Sequence, residues 1–431
     1  MILRSSAIGV LALAALVGCS QKSEPSSNIG SLNAASIVAD KSLSAPTKAQ
    51  RLADTSEQLL SVQGFDYAND VADLALAQDP ANVKAQFLKA LLGPIIVQRG
   101  IAARVAPLAA LDAKAQDGYS DALAKIDEQP DSTVKAFILD GQPDIKTESD
   151  IQAHLDAVAD SFGKIRDFAK QNKNSEIVMN GTDEMYRALL DRQRGLCTVE
   201  QVGSYAYKYV CPSDVKMLQT TIDRGDLEVV QQYAAGMELY LSLYNSYDLT
   251  GAIKLAQETA AKRAQVVSPQ AILDQLLANL KFGTIRNGNG FAKIKAMGAD
   301  AITGLRWVMA NQAKLCPMGV SDQHNRVGAL VNNGICVPSS EQAKLNSGIR
   351  KVESALQGGQ VTVPVMSASG PSTTSIIPSA LLDHPIADLH SLTPVSYNTC
   401  GEIVGLADPS IGGLFPNKDA NSVMKQGSKC P

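Results

Sequence analysis

The sequence lacks the short patterns that identify common enzymes, metal proteins and nucleic-acid-binding proteins. No Gly-x-Ser-x-Gly elbow occurs, only four histidines are present among 431 residues, and no C-x-x-C pair is available for zinc. No long basic tract occurs, and the formal net charge of −4 argues against nucleic acid or anionic lipid as a partner. These absences favour a non-catalytic protein without a metal or another cofactor.

The chain begins with an apolar stretch that ends at a cysteine. Arg4 supplies a positive charge, and residues 7–18 form an uncharged run. This run is shorter than the roughly 20 residues that a membrane-spanning helix needs. Residues 1–18 are therefore predicted to be a secretion signal rather than an anchor helix.

The residues around this cysteine are those of the bacterial lipobox. Leu16, Val17, Gly18 and Cys19 follow one another in its order, so the sequence resembles a bacterial lipoprotein. The resemblance implies cleavage before Cys19 and acyl chains such as palmitate on it, which would hold the protein to a membrane of the cell envelope. Within that family Ser20 favours the outer membrane. The alternative is an ordinary signal peptide that ends near a cysteine.

The segment after the cysteine has the composition of a linker. Residues 19–46 are rich in Ser, Asn, Ala and Lys and show no sustained apolar period. Such a composition predicts a flexible tether with a reach of about 30 Å by random-coil scaling. The folded part is therefore expected to begin at residue 47.

The cysteine count is odd, and assigning Cys19 to lipid leaves an even set. Six cysteines allow fifteen connectivities, and pairing of nearest neighbours fits an oxidising compartment. The expected structural disulfides would each contribute about 3 to 4 kcal/mol by constraining the unfolded chain. The three neighbouring pairs are Cys197 with Cys211, Cys316 with Cys336, and Cys400 with Cys430.

Helical patterns dominate residues 47–356. Within residues 64–82 the small residues Ala68, Ala72 and Ala75 recur at helical spacing, and Asp79 with Pro80 closes the segment. Small residues allow a second helix to approach closely, and a proline ends the helix before it. The sequence therefore predicts a mainly α fold built from packed helices.

One of these segments resembles the second helix of a tetratricopeptide repeat (TPR). That resemblance implies stacked antiparallel helical hairpins, and the departures in the preceding helix, Leu52 and Ser56 in place of Trp and Gly, imply a degenerate repeat. The residues at signature positions are Gly64, Ala68, Ala72, Ala75 and Pro80.

Further helices are predicted along the rest of this body. Thr147 and Asp150 form a capping-box pattern at the start of a helix predicted over 147–168. Asp226 is predicted to cap the next helix. The other expected helices cover 226–264 with a break near 248–250, a segment that starts at 268, 298–314, and 340–356.

Two regions depart from helical periodicity. Residues 199–211 alternate tyrosines with other residues, which predicts a small hairpin stapled by the first cysteine pair. Residues 357–431 are rich in Gly, Pro, Ser and Thr, with a short strand candidate at 360–365 and an exposed loop at 367–375. We expect this C-terminal segment to be mostly irregular and packed on the helical body.

Three stretches resemble ligand sites, and each has a simpler interpretation. Residues 283–290 have the glycines of a phosphate loop without its Lys and Ser/Thr, which favours a tight turn. Asp383, His384, Asp388 and His390 are the best metal candidates, but the spacing of the histidines does not fit a helical zinc site. Residues 417–421 begin like a calcium loop and lack its Gly and Glu.

Tyrosines are concentrated in one part of the chain. Tyr233, Tyr240, Tyr244 and Tyr247 recur at helical spacings and are the candidate binding residues. Tyrosine suits recognition because it combines apolar area with a hydroxyl group. Core or inter-helix packing is the alternative, and by frequency alone it is the more common role of such a stripe.

The sequence thus favours an envelope lipoprotein that acts as a scaffold or adaptor, with an envelope protein as its partner. The alternative is a helical lipoprotein that binds a small ligand or assists a periplasmic transporter. An enzyme would require His384 and His390 to converge in one cleft with their aspartates. The oligomeric state has no signature in the sequence.

Overall fold

The computed structural model of the protein is mainly helical. Its described part contains twelve α-helices and eight short strands. The structure describes residues 29–62, 64–110, 113–127, 137–181, 198–201, 207–210, 218–255, 278–286, 289–315, 337–367, 370–392, 394–397, 403–406 and 408–417.

The helices are distributed along the whole described chain. They are α1 (Ile29–Ala39), α2 (Ala45–Val62), α3 (Phe65–Gln78), α4 (Val83–Val97), α5 (Ile101–Ala109), α6 (Ala113–Asp127), α7 (Glu148–Gln171), α8 (Arg224–Tyr244), α9 (Asn289–Ala310), α10 (Gln312–Leu315), α11 (Ser339–Leu356) and α12 (Pro378–Asp383). A 3₁₀ turn covers Leu389–Leu392.

The strands pair into antiparallel two-stranded sheets. The pairs are β1 with β4, β2 with β3, β5 with β6, and β7 with β8. The strands are β1 (Ile177–Gly181), β2 (Thr198–Gln201), β3 (Tyr207–Val210), β4 (Leu218–Ile222), β5 (Val361–Ser367), β6 (Gly370–Ile376), β7 (Pro394–Tyr397) and β8 (Ile403–Leu406).

The chain divides into two compact units, and each is assembled from separated stretches of sequence. The described residues of unit A lie within 1–146, 164–230 and 315–336. The described residues of unit B lie within 147–163, 231–314 and 337–431. The sequence had indicated one helical body followed by a C-terminal segment.

The core of unit A contains the small residues that the sequence singled out. Ala68, Ala72 and Ala75 on α3 are all fully buried. On α2, Ser56 is buried as well, and its hydroxyl donates to the carbonyl of Ala68 at 2.6 Å. This direct bond from a side chain of α2 to the backbone of α3 requires the close helix approach that the small residues predict.

The start of the folded part differs from the prediction. Helix α1 lies inside the segment expected to be a flexible tether, and its Ala34 and Ile37 are buried in the core of unit A. The prediction was wrong for residues 29–46 because the apolar residues of α1 do not follow a helical period, so composition alone suggested a linker.

One described segment is apolar and long enough to cross a membrane by length and composition, Val83–Ala109. The structure divides this segment into α4 and α5 at Gly100, whose φ of 63° is left-handed. Phe87, Leu88 and Leu92 of α4 are nearly fully buried inside unit A. Packing within the unit therefore accounts for the apolar character of these three positions of α4.

The capping box predicted before α7 is present. The Thr147 backbone N–H donates to the Asp150 carboxylate at 2.9 Å, and the Asp150 N–H donates to the Thr147 hydroxyl at 3.2 Å. The start of α8 was also predicted, but its cap was assigned to the wrong residue. Asp223 accepts from the backbone N–H of Gly225 and Asp226, while Asp226 accepts from the N–H of Asp223.

Several strand predictions are confirmed and others were wrong. The hairpin expected within residues 199–211 is present as β2 and β3, whereas β1 and β4 were expected to be parts of the helical body. In the C-terminal segment β6 replaces the loop expected at 367–375 and pairs with β5. Its Ser and Thr residues suggested a loop by composition, while pairing with the alternating valines of β5 makes it a strand.

The residues that follow α8 make several polar contacts in unit B, and these contacts hold the end of the helix in place. The Asn245 side chain donates to the Asp156 carboxylate and to the carbonyl of Gln152 on α7. Residues 283–286 pair by isolated bridges with Tyr247 on one side and Asp388 on the other. Gly283, with φ of 76°, makes the tight turn that the sequence predicts there.

Candidate binding surface

Three of the four candidate tyrosines lie on the surface of one helix. Tyr233, Tyr240 and Tyr244 of α8 are 64%, 52% and 55% exposed. Tyr247 follows the helix and is only half-buried, and its ring packs edge-on against Phe291 with centroids 5.9 Å apart. The structure therefore brings three of the predicted residues to one surface and places the fourth in packing.

The exposed tyrosines are aligned because of their spacing. Separations of seven and four residues return to the same side of an α-helix. Between them lie Gly236, where a β-carbon would meet no atom within 4 Å, and the exposed Leu243. We call this set, Tyr233, Gly236, Tyr240, Leu243 and Tyr244, the tyrosine face.

Two rings of the tyrosine face stack on each other. The centroids of Tyr240 and Tyr244 are 4.6 Å apart with their planes tilted by 50°. Tyr233 contacts the buried Phe162 edge-on at 6.4 Å. These ring contacts restrict the side chains and leave much of their area open to solvent, which lowers the entropy lost when a partner binds.

The opposite side of α8 is held inside unit B. Ala234 and Ala235 are buried, and the fully buried Glu238 carboxylate contacts Lys293 of α9 at 2.6 Å. A β-carbon on Gly163 of α7 would lie 3.1 Å from this carboxylate, so α7 and α8 approach closely. The tyrosine face is therefore carried by a firmly packed helix.

The tyrosine face carries no charge at neutral pH. A hydrogen bond with the Tyr244 hydroxyl raises the pKa of Tyr240 above its usual value of 10. Burial likewise raises the pKa of the neighbouring Tyr247. Because none of the five members of the face is acidic or basic, the surface suits an uncharged partner.

Sequence reasoning missed two members of this face. Gly236 and Leu243 lie at the third and tenth positions after Tyr233, which are also positions of the same helical stripe. A search for all residues at these spacings would have found them. A search for tyrosines alone included Tyr247, which lies beyond the end of the helix.

The predicted histidine and aspartate cluster is engaged in local contacts. Asp383 pairs with Lys295 at 2.6 Å, and Asp388 bonds to the backbone N–H and the ring of His390. These bonds from His390 lower the pKa of Asp388. Among the described residues no group of three His, Cys, Asp or Glu side chains is placed to hold a metal ion.

The remaining predicted site residues lie outside the described part of the chain. This holds for Cys19 and for the six cysteines assigned to disulfides, Cys197, Cys211, Cys316, Cys336, Cys400 and Cys430. Lipidation and disulfide pairing therefore stay predictions. The calcium-like stretch at 417–421 is described only at its first residue.

A comparison with protein-family models, with curated proteins and with solved structures finds no match to this chain.

Proposed function

We propose that the protein is a non-catalytic scaffold of the bacterial cell envelope that binds another protein through the tyrosine face. The single observation that carries this proposal is the alignment of three exposed tyrosines on α8. Tyr233, Tyr240 and Tyr244 expose aromatic area on one side of a helix whose other side is packed. Exposed aromatic stripes of this kind are typical of interaction sites.

The chemistry of the tyrosine face specifies the kind of partner. Its members offer ring faces, one leucine side chain and phenol hydroxyls, and no charged group. Such a surface suits an uncharged and largely apolar segment of the partner. The backbone carbonyls of that segment, or a few neutral polar side chains, can accept hydrogen bonds from the tyrosine hydroxyls. The open space at Gly236 leaves room for a partner side chain between Tyr233 and Tyr240.

The helices of unit A support a scaffold role by analogy. Helix α2 packs against α3, α3 packs against α4, and α2 also contacts α4. This order is compatible with the TPR-like stacking proposed from Ala68, Ala72 and Ala75. Stacked helical hairpins in such repeats provide surfaces for protein ligands.

Attachment to the membrane through Cys19 is part of the same proposal. Several acyl chains hold a protein to a bilayer far more stably than one, since each buried methylene contributes roughly 0.8 kcal/mol. Labelling of cells with a palmitate analogue should mark the wild-type protein and leave a Cys19→Ser variant unmarked. An unlabelled wild-type protein with an uncleaved signal would contradict the envelope location.

The hairpin of unit A supports the first disulfide. In β2 and β3 Thr198 pairs with Val210, so the described hairpin ends at the residues next to Cys197 and Cys211 in the sequence. Opposed residues of antiparallel strands have Cα atoms about 4.5 to 5.5 Å apart. A disulfide requires about 4.4 to 6.8 Å, so the register suits a bridge.

Photo-crosslinking in intact cells tests the docking surface. A photoreactive phenylalanine analogue placed at Tyr240 should give one discrete adduct with an envelope protein. The same analogue at Val352 on α11, which is similarly exposed, is the matched control and should not give this adduct. The adduct at position 240 should weaken strongly when Tyr233 and Tyr244 are replaced by alanine.

The outcomes separate the alternatives. An adduct of twice the chain's own mass would show that the face joins two copies of this protein and would overturn the scaffold assignment. An adduct that survives loss of Tyr233 and Tyr244 would show that the tyrosines do not form the binding surface. Absence of any adduct at position 240 would also count against the proposal.

A further inference from the structure

A solvent-open cavity of about 380 Å³ lies between α9 and α11 in unit B, and Arg306, Ala343 and Arg350 in its lining are exposed. Its volume falls within the roughly 300 to 1,000 Å³ typical of small-molecule sites. The lining residues are Arg306 of α9 and Ala343, Asn346, Ile349 and Arg350 of α11.

The spacing of the α11 residues explains how they share one wall. Ala343, Asn346 and Arg350 are separated by three and four positions, which places them on one side of the helix. Ile349 is buried and forms an apolar part of the lining. Arg306 comes from the other helix, so arginines from two different elements line one cavity.

The two arginines differ in their partners. Arg306 donates to the carboxylate of Glu353 on α11. Arg350 makes no ion pair with any residue in the described part of the chain. Two positive charges and one negative charge thus lie at or beside the cavity, which leaves an excess of one positive charge.

A guanidinium group presents parallel N–H donors that match the two oxygens of a carboxylate or phosphate. Asn346 adds a neutral amide donor to the same wall. The cavity therefore combines charged donors, an amide and an apolar surface, which together fit an organic anion better than an apolar or a cationic molecule.

We propose that this cavity binds a small organic anion whose carboxylate or phosphate group lies between Arg306 and Arg350. The amide of Asn346 donates to the anion, and Ile349 contacts its carbon atoms. This proposal is independent of the tyrosine face, and it specifies the ligand class for the small-ligand alternative suggested by the sequence.

Calorimetric titration of the purified full chain tests the site at fixed ionic strength. The probes are succinate, glycerol 3-phosphate and succinamide, which is close to succinate in shape and carries no charge. We expect binding of succinate or glycerol 3-phosphate, and the tighter of the two identifies the preferred group. Binding of neither anion, or equal binding of succinamide, would overturn the proposal.

Substitutions on α11 distinguish a specific site from general attraction by positive charge. Arg350→Gln should weaken binding at least tenfold, while Lys351→Gln, with the same charge loss on another side of the helix, should change it less than twofold. Glu353→Gln should tighten binding severalfold because it releases Arg306 from its ion pair. Equal losses in the Arg350 and Lys351 variants would contradict the site.

A second variant, together with a check of folding, excludes misfolding as the cause of a lost affinity. Ala343→Phe places a large side chain at the wall of the cavity without changing its charge, and it should abolish binding. Circular dichroism and thermal melting establish that each variant is folded before titration. Retention of full affinity by a folded Ala343→Phe variant would show that the anion binds elsewhere.

Discussion

At the residue scale, unit A contains a buried cluster of charged side chains. Lys84 of α4 is 5% exposed and contacts Glu57 of α2, 3% exposed, at 2.5 Å and Asp54 at 2.6 Å. Buried charges cost free energy to desolvate, and they persist in a folded protein when they are paired. The pair links α2 to α4 at one fixed position.

Removal of this lysine should strongly destabilise the protein. Lys84→Met removes the cation that contacts the buried Glu57 carboxylate, and breaking a buried ion pair typically costs about 3 to 5 kcal/mol of unfolding free energy. Urea denaturation measures the loss. Lys89→Met, on the same helix, is the matched control because Lys89 and Asp73 form a more exposed pair worth at most about 1 kcal/mol. Similar losses in both variants would contradict this assignment.

The buried Glu228 of α8 makes stability depend on pH. Burial raises the pKa of Glu228 above its usual value of 4.5, and Arg224 opposes the shift in part. The folded state therefore holds this proton more tightly than the unfolded state. The resulting penalty is absent below the unfolded pKa and becomes complete as the pH rises above the folded pKa.

Replacing Glu228 with glutamine should remove this penalty. The stability of Glu228→Gln relative to wild type is expected to rise as the pH increases from below 4.5 through the range in which the wild-type carboxyl ionises in its buried position. Thermal melting of both proteins across this range provides the measurement. A stability difference that is constant with pH would show that Glu228 does not titrate differently on folding.

At the element scale, the entry to α5 requires two glycines. A β-carbon on Gly141 would lie 2.6 Å from the carbonyl oxygen and 2.7 Å from the Cα of Gly100. Gly100 itself has a left-handed φ and donates its N–H to the carbonyl of Phe137 at 2.8 Å. The two backbone segments therefore touch without space for a methyl group between them.

Gly141→Ala should destabilise the protein because the new methyl group meets rigid backbone atoms. Overpacking of this kind costs typically about 1 to 3 kcal/mol. Gly118→Ala on α6 is the control, since a β-carbon there meets nothing and removal of a helical glycine gains about 0.5 to 1 kcal/mol. Chemical denaturation should therefore move the two variants in opposite directions, and a shared direction would contradict the close approach.

Elements were predictable where their signals are local. The capping box of Thr147 and Asp150 lies within four residues, so the start of α7 could be read from the sequence. The pairing of β1 with β4 joins Ile177 to Ile222 across 45 positions and has no local signature. Helix α1 was not predicted for a related reason. Its Ala34 and Ile37 are buried by packing against other helices, and its own sequence shows no amphipathic pattern.

At the scale of the whole molecule, the predicted disulfides constrain the unfolded chain more than the folded one. A bridge between Cys197 and Cys211 would close a loop of 15 residues and contribute about 3 kcal/mol in the entropy model. A two-stranded hairpin such as β2 with β3 is at best marginally stable by itself. The disulfide would therefore add to the weak stability of this strand pairing.

The three disulfides should be visible by mass spectrometry of the exported protein. No cysteine should be alkylated before reduction, and six should be alkylated after it, because Cys19 is assigned to lipid. Trypsin without reductant should release residues 195–208 covalently joined to residues 209–216, which tests the first pair directly. A free thiol, or residues 195–208 joined to another cysteine peptide, would overturn the nearest-neighbour pairing.

The sequence by itself determined the helical class of the protein, the positions of several helices such as α3, α7 and α11, and the alignment of the tyrosines, because these depend on spacings within a few turns of one helix. The tertiary structure decided which side of α8 is exposed. Tyr233, Tyr240 and Tyr244 would carry the same spacing in a buried helix, and burial of the opposite side depends on Gly163 and Lys293, which are distant in sequence. The cavity lined by Arg306 and Arg350 likewise exists only where two helices meet, so no local pattern could predict it.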